Sequence, residues 1–145
     1  MKALVLLTTA FVLILSATTF AQNKSYYHKN TFHGTFTNCE QPPTFGSHSS
    51  DLQKYFADKL RDQITKTNGK IKISVLIDTA GKTACEWIEN NSNFSMERDK
   101  LNLLIDAMPN WNSAIQNGHK VNCVEQVVLT FKKEKLVVTN RIGRD

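Results

Sequence analysis

The stretch from Lys70 to Glu89 constrains the fold more than any other. Ile71, Ile73, Val75 and Ile77 alternate with Lys70, Lys72, Ser74 and Leu76, the two-residue period of a strand with one buried face. Asp78-Thr79-Ala80-Gly81 follows, an acidic start with a glycine suited to a tight turn. Thr83 to Glu89 returns as a second strand, with Cys85 and Trp87 assigned to one face, and Asn90-Asn91-Ser92 breaks it. A hairpin of two strands is marginal in water by itself. It therefore needs another strand beside it and an apolar layer over its Ile/Val face.

Both are present. Ser50-Asp51-Leu52-Gln53 fits a capping box, and Leu52, Tyr55, Phe56, Leu60 and Ile64 recur at helical spacing until Asn68-Gly69. Ser95 is placed to cap a second helix, with Glu97 and Asp99 in its first turn and a stripe of Leu101, Leu104, Ile105 and Met108. Pro109 closes it. A last strong strand covers 120–131, where Val121, Cys123, Val127, Leu129 and Phe131 share a face that Glu125 interrupts. That interruption implies either a bulge or an edge position. Leu136 to Thr139 suits a short further strand. The expected fold is α+β, with two helices on one face of a three-stranded antiparallel sheet in the order α-β-β-α-β.

The remainder of the 145 residues lies mostly at the N-terminus. One positive residue, Lys2, precedes an apolar run from Ala3 to Leu15, and Thr19-Phe20-Ala21 places small side chains where a signal peptidase reads. The 13 residues 3–15 span only about 20 Å as a helix, short of a bilayer core of about 30 Å. Residues 1–21 read as a cleaved signal peptide, with an uncleaved anchor as the alternative. Residues 22–42 form an exported arm, 43–134 the domain, and 135–145 a tail. With 41% apolar and 21% charged residues, the chain has the composition of a core-bearing globule rather than a disordered segment. Its net charge of +5 is spread over many lysines, and export makes nucleic acid an improbable partner.

Reactive groups are dispersed. His28, His33, His48 and His119 have no zinc-ligand spacing with Cys39, Cys85 and Cys123. No acid, base and nucleophile set emerges, so no catalytic residue, cofactor or metal is expected. Trp87 and Trp111 read as core or loop anchors, and Asp78 as turn chemistry.

From about Pro43 to Phe131 the chain resembles the C-terminal domain of the TonB energy-transducer family, in the form common among Bacteroidetes-type proteins. Phe45-Gly46 stands where that family has a Phe-Gly segment before its first helix. Gly69-Lys70-Ile71-Lys72-Ile73 and Asp78-Thr79-Ala80-Gly81-Lys82 match its first strand and turn, and Met108-Pro109-Asn110-Trp111 matches its Met-Pro-x-Trp. Gly118-His119-Lys120-Val121 fits its Gly-Lys-x-Val element loosely, and Phe131 closes the strand. Asn112-Ser113 replaces the usual Pro-Gly, the Tyr-Pro after the first helix is missing, and Pro42-Pro43 stand in place of a proline-rich linker.

The resemblance implies a module that grips a short segment of an outer-membrane receptor by β-strand addition. The strand at 120–131, with Val121, Cys123, Val127, Leu129 and Phe131, is the expected partner edge. Otherwise it is a core strand whose edge is covered by 135–140. The expected protein is non-enzymatic, periplasmic or secreted, and binds a protein partner. The alternative is an inner-membrane-anchored energy transducer that couples a motor to a receptor. A third reading, a small secreted hydrolase or thiol enzyme using Cys123 or Cys85, lacks supporting residues. Exchange of edge strands would give a homodimer. If 71–77 is central, Cys85 and Cys123 stand two strand spacings apart, beyond bridging distance. A disulfide then runs from Cys39 to one of them, with Cys39–Cys123 as the candidate pair.

Overall fold

The computed structural model describes residues 34–141. The expectations for residues 1–33 and for the tail beyond 141 lie outside the described residues. In chain order the elements are α1 (Asp51–Lys59), α2 (Arg61–Ile64), β1 (Gly69–Ile77), β2 (Thr83–Ser92) and α3 (Arg98–Asp106). They continue with β3 (Ala114–Gln116), β4 (His119–Val121), β5 (Cys123–Lys132) and β6 (Lys135–Arg141). The main sheet is antiparallel with the order β2-β1-β5-β6 and has four strands, not three; β3 and β4 make a separate hairpin. The fourth strand is the 136–139 segment. Lys133 and Glu134, both at positive φ, turn the chain back in a two-residue loop, so β6 pairs along β5.

One face of this sheet holds the core. Ile71, Ile73, Val75 and Ile77 of β1 pack with Val127, Leu129 and Phe131 of β5 under Leu52, Phe56 and Leu60 from the α1 region and Leu101 and Ile105 of α3. A register shift between Ser74 and Val75 sets Val75 against Cys85 and Ser74 against Trp87. The bulge changes which β2 residues face inward. Cys85 and Ile88 enter the core while Trp87 does not, correcting the expectation that Cys85 and Trp87 share a face.

Both helix starts differ from expectation. Ser50 makes no side-chain cap. Asp51 does the work instead, its Oδ2 accepting the Ser47 and His48 amides, each at 3.0 Å. Those amides, His48 first, hold its carboxyl below the ordinary range. The helical stripe is broken at Leu60, where φ is −110°, and α3 starts at Arg98 with Glu97, not Ser95, before it. The long strand at 120–131 is likewise split at Asn122 into β4 and β5.

The conspicuous motifs converge. Asp78 Oδ1 accepts the Ala80 and Lys82 amides at 2.8 Å each, closing the β1–β2 turn. The Trp111 amide donates to the Gly81 carbonyl at 2.8 Å, and the Thr44 and Asn112 backbones bond to each other. Phe45 lies 5.3 Å from the Trp111 ring and 5.7 Å from that of Tyr55, whose hydroxyl donates to the Leu104 carbonyl. The hairpin turn, the exit of α3 and the entry to α1 are thus fixed against one another.

Candidate protein-binding edge

The sheet order decides which backbone is available to a partner. β5 lies between β1 and β6 and is paired on both sides. Cys123, Val127, Leu129 and Phe131 are buried, and Val121 stands on β4 in the other hairpin. These residues therefore offer no open strand edge, and the partner-edge reading of 120–131 is corrected. The alternative holds: a core strand whose side chains alternation buries and whose free backbone side is covered by the 135–140 segment, which is β6.

The outer strands are β2 and β6. On β2 the end of α3 lies close: the Cys85 amide donates to Asp106 Oδ1 at 3.1 Å, and Thr83 Oγ1 donates to the Ile105 carbonyl at 2.6 Å. Further along, the Ser92 amide is taken by Asn90 Oδ1 at 3.0 Å.

On β6 the arrangement is different. Its register opposes Phe131 to Leu136 and Leu129 to Val138, with the tight turn closing on Lys132 and Lys135. In an antiparallel pair joined this way, Leu136, Val138 and Asn140 turn their backbone groups away from β5. Gln53 of α1 meets them there. Its Nε2 donates to the Leu136 carbonyl at 2.9 Å, and its Oε1 accepts the Val138 amide at 2.7 Å. One primary amide thus satisfies an acceptor and a donor that a neighbouring strand would otherwise satisfy. The sequence places Gln53 in a capping box, and no local pattern signals its contact with a strand 83 residues away.

Next to this edge is a cleft of about 270 Å³, with Phe45, Gly46, His48, Leu52 and Asn140 among the residues lining it. Asn140 belongs to β6, so the cleft continues the line of the edge. Val137, on the β6 face away from the core, is 52% exposed.

Glu125 is the most unusual group. Neither a bulge nor an edge accommodates it: it pairs in unbroken register with Val75 and is fully buried. Neither carboxyl oxygen has a well-formed hydrogen bond among the described residues. Burial pushes its pKa up to about 7, and the approach of the Asn140 side chain offsets only part of this.

The thiols are placed unevenly. Cys39 Sγ lies 3.2 Å from Cys123 Sγ. Cys85 opposes Val75 and Cys123 opposes Ile77, on either side of β1. Burial first, with Asp106 adding, pushes the Cys85 thiol up to about 12. Burial and the neighbouring Cys39 push Cys123 to about 12. Both shifts oppose thiolate formation and so work against attack on an external substrate; for Cys123 the sulfur close at hand is that of Cys39, 3.2 Å away. Among the described residues no group of three or more His, Cys, Asp and Glu side chains could hold a metal ion, and no helix is long and apolar enough to cross a membrane. His48 and His119 are exposed and far apart in the chain; His28 and His33 lie outside the described residues.

No family model, no curated protein and no solved structure matches the chain.

Proposed function

We propose that this chain is an exported, non-enzymatic binding module of the bacterial envelope that adds a segment of a partner protein to the outer edge of β6. The Gln53 amide bound to Leu136 and Val138 carries this reading. It marks a stretch of β6 where main-chain groups face outward beside a cleft, held by a side chain that a peptide can replace bond for bond. The leader-like residues 1–21 and the resemblance to TonB C-terminal domains support export and suggest the partner, a short periplasmic segment of an outer-membrane receptor.

Fluorescence anisotropy with labelled peptides of such receptor segments tests the proposal. An incoming strand must displace Gln53, so Gln53→Ala is expected to tighten binding about fivefold while costing the free domain about 1 kcal/mol. Val138→Pro removes the outward amide, a change that an edge strand tolerates, and is expected to abolish binding while leaving the fold intact. Equal affinity of all three chains for every receptor segment, or no binding by any, would refute the proposal.

A further inference from the structure

The arm that enters the domain is laid into the sheet itself. The Phe36 amide donates to the Asn122 carbonyl at 2.9 Å, and the Val124 amide donates to the Phe36 carbonyl at 2.9 Å. Even-numbered residues of β5 face β6, as the register of Thr130 with Val137 and Val128 with Thr139 requires. Phe36 therefore occupies the β6 side of β5, just beyond Gln126, where the described part of β6 stops. Further along, Gln41 pairs with Ile115 and Thr44 with Asn112. Between these bridges Cys39 comes within 3.2 Å of Cys123. Cys39 is partly exposed and Cys123 is fully buried.

We propose that Cys39 and Cys123 form a disulfide that fastens the arm into the fourth lane of the sheet, leaving Cys85 as the free thiol. The chain folds the two sulfurs together from positions 84 residues apart, whereas β1 separates Cys85 from Cys123 by two strand spacings, about 10 Å, too far to bridge. The oxidant is a small-molecule or protein disulfide. Cys39, the accessible thiol, attacks one sulfur of that disulfide, loses its proton and releases one thiol, forming a mixed disulfide. Cys123 then attacks the Cys39 sulfur, the second thiol leaves, and the Cys123 proton goes to it. One oxidant disulfide is reduced to two thiols as the protein's two thiols become one disulfide.

Glutathione disulfide added to the reduced, folded full chain tests this without depending on the identity of any partner or on export. Peptide mapping under non-reducing conditions is expected to show the Cys39 and Cys123 peptides linked and Cys85 unmodified, with two glutathione thiols released per chain. Cys123→Ala is expected to stop at a glutathione adduct on Cys39. Reduction of the linked chain is expected to lower its melting temperature by about 10 °C or more, since the bond closes a long loop. A wild-type chain that keeps three free thiols, accumulates the Cys39 adduct, or links through Cys85 would overturn the proposal.

Discussion

Replacing Gly81 by alanine should cost about 4 kcal/mol of folding free energy, read as a large fall in the urea midpoint. Gly81 sits at φ +81°, and a Cβ there would run into the Trp111 backbone carbonyl oxygen. Positive φ strains an L residue by about 1–3 kcal/mol, and overpacking against an immovable backbone adds about as much again. The collision would also separate the Trp111 amide from the Gly81 carbonyl. Gly118 supplies the control. It too has a positive φ, +75°, but a Cβ there meets nothing within 4 Å. Gly118→Ala should therefore cost only the conformational part, about 1 kcal/mol. If the two variants lost equal stability, the close packing of the β1–β2 turn on the α3 exit would be wrong.

Raising the pH from about 5 to about 8 should remove about 3 kcal/mol of stability through Glu125 alone. Its carboxyl moves from an ordinary value of 4.5 to about 7 on burial in the fold, and each unit corresponds to about 1.4 kcal/mol. For an acid whose folded pKa is raised, the unfolded chain gives up its proton first. The Glu125 contribution to stability is therefore fully present below about 4.5, declines between there and about 7, and is lost above. Glu125→Gln keeps the shape of the side chain but cannot ionise. It should flatten this part of the profile and be the more stable chain at about pH 8. Equal slopes for wild type and Glu125→Gln in chemical denaturation at several pH values would show that Glu125 is not buried as described.

The β1–β2 hairpin was plain in the sequence because strict alternation and an Asp-x-x-Gly turn specify a strand pair locally. Both helical stripes were legible for the same reason. What escaped was decided by contacts between distant segments. Leu136 to Thr139 reads as a short strand in the sequence, but its place as the fourth strand of the sheet, extended to Lys135–Arg141, is set by the free side of β5. Glu125 broke an apolar face in the sequence, yet continuous pairing with Val75 kept its side chain inside. Trp87 and Cys85 parted because a bulge, invisible to alternation, lies between them. Gln53 had the sequence of a local cap and instead reached a strand edge. The proposed partner site moves with these corrections, from the strand expected at 120–131 to β6, the outer neighbour of β5.

Backbone amide NMR of the uniformly labelled chain, titrated with peptides of outer-membrane-receptor periplasmic segments, tests strand addition at β6 most directly. The account predicts peptide-dependent shifts and slowed hydrogen exchange at the Val138 and Asn140 amides, release of the Gln53 side-chain amide signal to its solvent-exposed position, and loss of these effects when the peptide backbone is N-methylated. Changes confined to β2, or β6 amides that stay unaltered with every receptor segment, would contradict it.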